Sequence, residues 1–441
     1  MTTKNNSLQT ILDKFSIQKL NAMQEEAQHA IRTHDEVVLL SPTGTGKTLA
    51  YLLPVVQELD VECSEIQALI IVPSRELAIQ IEQVAREMGS GFKCNAVYGG
   101  RSGAQDKIDL KHRPAILIGT PGRIADHIRR ERFSTDFIKI LVLDEFDKSL
   151  EVGFESEMIE IVDDLPNVKK TILTSATQKV KIPPFIGLRN PTYIDYLHEG
   201  ITQLKIQKVI SPSKDKLKTL VLLLEQLKNE SGIIFCNFKD ALQRVSDFLT
   251  LNNIKHDCFH GGMEQIDRER SLIKFRNGSH QLLVATDLAA RGLDIPEIRF
   301  IIHYHLPARS KEFIHRNGRT ARMNSNGTAY ILLWENEELP DFIHELNPEN
   351  FELKKTKKSI EPTDYEWKTL YISGGRRDKI SKGDIAGLIL KQGNINKDEL
   401  GNIEIKQDCA FAGVIASKAE AVIALINNSK LKKKKVRVSL I

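Results

Sequence analysis

The sequence predicts an α/β protein of two tandem parallel-sheet domains followed by a small α+β domain. Three observations predict it. Short apolar runs rich in Val and Ile alternate with longer helix-like stretches, and the alternation occurs as two series. Strands that are apolar throughout belong to parallel sheets covered on both faces. Beyond residue 367 both the pattern and the charge change. The length, 441 residues, suits roughly three domains at about 150 residues each.

The first series places strands at 37–40, 68–72, 115–119, 139–143 and 171–174. The second places them at 232–236, 281–285, 299–304 and 328–333. Between the series, residues 189–214 hold two prolines, many polar residues and no clear period, so a boundary falls near 205. A charged, proline-containing stretch, KKTKKSIEPTD at 354–364, reads as an exposed linker. The expected domains are therefore 1–205, 206–353 and 367–441, with a linker at 354–366. The last domain reads strand 368–373, helix 382–393, strands 402–406 and 409–416, helix 418–428 and strand 435–440. That β-α-β-β-α-β order is the ferredoxin-like pattern used by RNA-recognition modules.

Composition narrows the class. Hydrophobic residues make up 41% and charged residues 27%, the ordinary globular mix, which excludes general disorder. No apolar run approaches the ~18 residues of a membrane helix, so no membrane partner is expected. The polar N-terminus lacks the apolar core of a signal peptide. Five scattered cysteines without a CxxC pair exclude a disulfide scaffold and point to a reducing, cytoplasmic setting. The net charge of +4 is unevenly spread. Residues 351–441 carry 19 basic and 11 acidic residues, against 43 and 47 in the rest. A basic terminal segment on a near-neutral body suggests a polyanionic partner or a solvated tail.

The chemistry begins after the first strand, at Ser41-Pro42-Thr43-Gly44-Thr45-Gly46-Lys47-Thr48. Glycines let backbone N–H groups turn around phosphate oxygens, Lys47 adds positive charge, and the Thr48 hydroxyl can take Mg²⁺. Ser41 stands where the strict GxxxxGK[ST] pattern has its first glycine. The fourth strand ends in Asp144-Glu145-Phe146-Asp147. A carboxylate at the C-terminal end of a parallel strand faces the ligand crevice. There Asp144 can hold Mg²⁺ and Glu145 can polarise the water that attacks the γ-phosphate.

Together these motifs resemble the DEAD-box ATP-dependent RNA helicases of superfamily 2. The series continues in order. Gln24 sits where that family reads adenine. Pro73-Ser-Arg75-Glu-Leu-Ala78, Gly99-Gly100, Thr120-Pro-Gly-Arg123 and Ser175-Ala-Thr177 follow, then Ile234–Asn237 and Gln265–Arg268. The segments 285–294 and 315–322 resemble its last two motifs. The resemblance spans about residues 8–335 and implies two RecA-like domains that close over ATP and RNA. It implies that Arg319 and Arg322 reach the phosphates, Asp294 the ribose, and that Ser175 and Thr177 link Asp147 and His315. It also implies that Pro73, Arg75, Gly99, Gly100, Thr120, Arg123, Arg268 and Thr286 grip the sugar–phosphate backbone, reading shape and not sequence.

The sequence departs from the family in places. Phe146 replaces the alanine of DEAD and needs an apolar pocket. Ala321 replaces a glycine, His303-Tyr-His-Leu-Pro307 stands where the family often has Asn-Tyr-Asp-Leu-Pro, and Ser7 occupies the place of an aromatic. None of these changes removes a charged catalytic group.

Residues 368–441 resemble the RNA-binding domain of DbpA-type bacterial helicases, which implies a hairpin of large-subunit ribosomal RNA as target. The candidate contacts are Arg376, Arg377, Lys379, Lys432, Lys433, Lys434, Lys435 and Arg437, while Tyr371 and Phe411 serve either as stacking rings or as packing. The expected protein is a monomeric helicase using ATP and Mg²⁺ on 23S-type ribosomal RNA during large-subunit assembly. The alternatives are an ATP-gated RNA clamp that rarely separates strands and, less well supported, a DNA helicase.

Overall fold

A computed structural model describes residues 8–15, 17–100, 103–151, 153–176, 182–197, 204–228, 230–287, 298–320, 327–354 and 365–441, the side chains at 104, 105 and 151 excepted. The chain divides into two compact units. Among the described residues, the first holds one sheet, and the second holds two larger sheets and a two-stranded one.

The first sheet has seven parallel strands: β1 (Glu36–Leu40), β2 (Ala68–Ile71), β3 (Cys94–Val97), β4 (Ile116–Gly119), β5 (Ile140–Leu143), β6 (Lys170–Ser175) and β7 (Thr192–Asp195). Their order is β3-β4-β2-β5-β6-β1-β7. Alternate residues of β1 enter separate cores on the two faces: Val37 and Leu39 on one side, Val38 and Leu40 on the other. This double burial is why the strands read as unbroken apolar runs. The sequence reading did not anticipate β3 and β7, whose runs are short and interrupted by Asn95 and by Tyr193 and Asp195.

The second sheet comprises β8 (Leu204–Ser211), β9 (Gly232–Cys236), β10 (Asp257–Phe259), β11 (Leu282–Thr286), β12 (Phe300–His303), β13 (Gly327–Trp334) and β14 (Glu349–Asn350), ordered β10-β11-β9-β12-β13-β8-β14 and again parallel throughout. The boundary near 205 falls at the start of β8. That strand was unforeseen because its burial alternates instead of running continuously.

The C-terminal sheet is antiparallel. Its strands β15 (Trp367–Ile372), β16 (Leu400–Ile405), β17 (Ala410–Ile415) and β20 (Val438–Leu440) lie in the order β16-β17-β15-β20, the ferredoxin-like arrangement. The expected last strand at 435–440 is divided. Lys434–Lys435 (β19) pairs with Lys430–Leu431 (β18) in a small hairpin, with Lys432 at φ +56°, before β20 begins. Leu370, Ile372, Ala410, Ala412 and Val414 pack under the helices, where Ile385, Ile389 and Val422 meet them.

Candidate nucleotide site and RNA-facing surfaces

Strand order assembles the first site. β5, β6 and β1 are neighbours, and the chain leaves the C-terminal ends of β1 and β5 into the phosphate loop and Asp144. Leu143 is level with Leu173, and Leu40 with Ser175. Residues more than 90 apart in sequence therefore meet.

In the loop, Gly44 and Gly46 have φ of +87° and +86°, a region L-residues avoid. A Cβ on Gly46 would also lie 2.4 Å from Gln24 Nε2, so a side chain there would displace the Gln24 amide. The Lys47 ammonium is buried and donates to the carbonyls of Ser41 (2.6 Å) and Pro42 (2.7 Å). Burial lowers its pKa to about 8, although Glu145 and Asp144 pull the other way. The Ser41 hydroxyl donates to Thr45 Oγ1, which itself donates to the Pro42 carbonyl.

Gln24 is tied down differently from what base reading alone would need. Its Oε1 accepts from Asn21 N and its backbone N–H donates to Asn21 Oδ1, a capping box on the helix Ala22–Thr33. Its Nε2 donates to the Gly46 carbonyl, and Asn21 Nδ2 donates to that of Thr45. Gln24 thus couples this helix to the phosphate loop.

Asp144 is buried and held at both oxygens. Tyr51 OH donates to Oδ2 at 2.9 Å, and the Thr174 hydroxyl donates to Oδ1. Burial, then the neighbouring Glu145 charge, raises its pKa. Glu145 has φ +49°, and its N–H donates to Thr174 Oγ1 at 3.1 Å. Its carboxylate pairs at 2.7 Å with Lys148, which is fully buried. A non-glycine residue held there marks strain that surrounding structure must maintain. Phe146 is buried in the core cluster that also holds Leu143, Met158, Ile161 and Leu173. Asp147 and Ser175 are buried in the same region.

The sequence reading missed Thr174, Tyr51 and Lys148. Each had a signal: a hydroxyl ending an apolar strand, a phenol one helical turn after Lys47, and a lysine three residues after Glu145. Thr177, Asp294 and Arg322 lie outside the described residues, as does Ala321.

Among the first unit's residues expected to contact RNA, Gly99 and Gly100 lie beneath Arg75. A Cβ on Gly100 would approach its guanidinium to 2.6 Å, and φ there is +82°. Arg75 opens the helix Arg75–Met88 after Pro73, and Ser74 caps it by accepting from Leu77 N. Thr120 occupies the N-cap position of the helix Pro121–Arg129 without a side-chain capping bond. Arg123 is not an open cation: buried Asp106 takes its Nε at 2.8 Å, and His127 Nε2 lies 3.1 Å from the same oxygen.

In the second unit, Arg268 lies over the Phe259 ring at 4.9 Å, and Thr286 ends β11. His315 and Arg319 are both buried. Between them Arg316 pins the helix Ser310–Asn317 by bonding both oxygens of Asp287, the Asn237 amide oxygen and the His305 carbonyl. Burial and then Arg316 lower His303 to about 3.

The C-terminal sheet decides between the two readings of its aromatic residues. The face opposite its helices is covered by the preceding domain. Thr369 is fully buried, accepts from Asn277 Nδ2 (3.2 Å) and shares a hydrogen bond with Ser279 (2.6 Å). Arg276 pairs with Glu404 at 2.8 Å, and Lys406 with Glu269 at 3.1 Å. Trp367 packs beside Gly278. Tyr371 and Phe411 meet edge to face at 5.7 Å, with Phe411 buried, so they are packing and not an open stacking platform. The end of the linker is also docked, Tyr365 OH donating to the Lys255 carbonyl. The domain is mounted on its neighbour.

Of the basic candidates, Lys432 and Lys434 are committed to Asp384 (3.0 Å) and Asp378 (2.8 Å), and Arg377 pairs with Asp408. Lys379 is at φ +59° in a turn. Lys433, Lys435, Arg376 and Arg437 are exposed, as is Lys430.

The chain matches the DEAD/DEAH box helicase family over 21–183, the helicase conserved C-terminal domain over 213–324 and the DbpA RNA binding domain over 369–440. It is 31% identical to the ATP-dependent RNA helicase DbpA of Bacillus subtilis, over 95% of this chain and 94% of that one. The Escherichia coli DbpA is 30% identical, covering 98% and 96%. Among solved structures, DEAD-box helicase Mss116 bound to ssRNA and UDP-BeF matches at TM-score 0.70 and 26% identity, over 79% of this chain and 77% of that one. Saccharomyces cerevisiae Dbp5 bound to RNA and ADP BeF3 matches at 0.66 and 26%, over 76% and 88%.

Proposed function

The chain belongs to the DEAD-box ATP-dependent RNA helicases of the DbpA type, and on that premise we propose that it remodels ribosomal RNA during large-subunit assembly. One observation carries the reading. A two-part helicase core is joined to a docked DbpA-type RNA-binding domain with an exposed basic edge. Backbone contacts do not distinguish one RNA from another, so a separate reader must choose the substrate.

In this reading Lys47 neutralises phosphate charge, Glu145 orients the attacking water, and Arg319 supplies a planar guanidinium to the charge that develops. The residues fit Mg²⁺. Thr48 and Asp144 offer hard oxygen donors, and among the described residues no group of three or more His, Cys, Asp or Glu is arranged to cage a metal. A small divalent cation held by few protein oxygens, with phosphates and water completing its shell, suits such a pair. Bound there, it would neutralise phosphate charge. The five free thiols support a cytoplasmic setting, and we take the working form to be a monomer.

The test is ATPase activity titrated with ribosomal RNA and with unrelated RNA. Ribosomal RNA containing the cognate hairpin should stimulate best. Changing Lys430, Lys433 and Lys435 to Gln should abolish that preference and reduce the salt slope of RNA binding by about 2–3, one released counterion per lost contact. Equal stimulation by every RNA would overturn the ribosomal reading. RNA-stimulated turnover without strand separation would favour the clamp.

A further inference from the structure

We propose that Lys148 is a positioning residue for the hydrolysis step, holding the Glu145 carboxylate in the attitude from which it orients water. The inference rests on the reading of Glu145 as the water-orienting carboxylate. Three carboxylates, Asp144, Glu145 and Asp147, lie buried within four consecutive residues. Like charges that close together oppose burial unless a cation compensates them. Lys148 follows directly and is fully buried. Its ammonium donates to Glu145 Oε2 at 2.7 Å. A lysine is seldom fully buried unless it is paired, so this ammonium is part of the site and not a solvated surface charge.

The backbone brings the two side chains together. Glu145 N–H donates to Thr174 Oγ1 at 3.1 Å, and the Glu145 carbonyl accepts from Lys148 N–H at 3.0 Å. The two residues are three apart at the start of the helix Phe146–Glu151, a spacing at which side chains are neighbours. Glu145 is thus gripped at its N–H, at its carbonyl and at one carboxylate oxygen. Phosphoryl transfer depends above all on positioning. A carboxylate that turns freely about its side-chain bonds aligns water in few of its orientations. Turning here would break a charge-assisted hydrogen bond in low-dielectric surroundings. The two buried lysines of the site therefore have separate tasks. Lys47, on the carbonyls of Ser41 and Pro42, serves phosphate, and Lys148 serves the carboxylate.

Lys148→Met removes the ammonium and keeps an unbranched side chain of similar length. RNA-stimulated ATPase is measured on the full-length wild type and variant at saturating ribosomal RNA, with fluorescent-ADP affinity, RNA affinity and melting temperature alongside. The expected result is kcat lowered about tenfold to a hundredfold, as for loss of one hydrogen bond to a charged group. KM for ATP and both affinities should stay within about twofold of wild type, since the interaction acts on the chemical step. Lys148→Gln, which keeps a neutral donor, should fall between the two and serves in place of a methionine variant that does not fold. Added to Glu145→Gln, Lys148→Met should cost nothing further in single-turnover hydrolysis of radiolabelled ATP, because the carboxylate it positions is already gone. An unchanged or raised kcat in the folded Lys148 variant overturns the inference. So does a fall in kcat matched by an equal loss of nucleotide affinity, or an additive loss in the double variant. Wild-type-like turnover in Glu145→Gln overturns the reading of Glu145 and the inference with it, whereas an inactive Glu145→Gln beside a fully active Lys148→Met overturns the inference alone.

Discussion

Phe146→Ala would restore the family's own DEAD sequence, yet the structure predicts that it damages the protein. The ring is 1% exposed and belongs to the core cluster that holds Leu143, Met158, Ile161 and Leu173. Truncating such a ring leaves a cavity and costs ~3–5 kcal/mol. The preceding residue, Glu145, sits at φ +49°, and the packed ring helps hold that turn, which favours the upper end of the range. For a unit of about 200 residues, each kcal/mol lowers the melting temperature by about 2–4 °C, so the expected fall is about 6–20 °C. Phe146→Leu, which keeps most of the apolar volume, should lose less than half as much. Thermal unfolding followed by circular dichroism reads the shift, and hydrogen exchange across 140–151 should show where protection is lost. A melting temperature for Phe146→Ala equal to or above wild type would refute the packing argument.

Three further outcomes follow from other sites. Burial holds Lys47 near pKa 8, below its ordinary 10.5, so its charge cost is fully present below pH 8 and stability rises as pH climbs from about 8 to 10.5. Phosphate binding needs the charged form, so ADP affinity should fall by up to about tenfold per pH unit above 8. Calorimetry in two buffers at pH 9 should register proton uptake that is absent at pH 6.5. His303 is held neutral down to about pH 3, against an ordinary 6.5, so the unfolded chain takes the proton first and stability declines as pH falls through that window. The slope should reach about 1.4 kcal/mol per pH unit and flatten in His303→Asn, as read by urea unfolding. Thr369→Arg would force a charge into the buried seam with Asn277 and Ser279 and undock the C-terminal domain. Hydrogen exchange at 276–280 should then rise and RNA-stimulated ATPase fall, with RNA affinity of the basic edge retained.

The fold class was legible in the sequence, and so were the two strand-end segments of the candidate site. Each is written locally: apolar strands of a doubly covered sheet are continuous, and glycines, lysine and carboxylates at strand ends are adjacent in the chain. Strands β8 and β10 escaped it because half-buried or very short runs carry little periodic signal. Tertiary structure alone decided what those segments lean on. Thr174 touches Asp144 because β5 and β6 are neighbours, and no spacing in the chain states that. It likewise decided that Asp106, 17 residues before Arg123, clamps an arginine that the motif alone presents as an open RNA contact. The C-terminal sheet is the clearest case. Its alternation marks two faces, but whether the second meets RNA or protein depends on Asn277 and Ser279, about 90 residues away, whose polar side chains satisfy a buried Thr369. A hydrogen bond over that separation leaves no trace in local pattern, because it is set by how two finished domains pack.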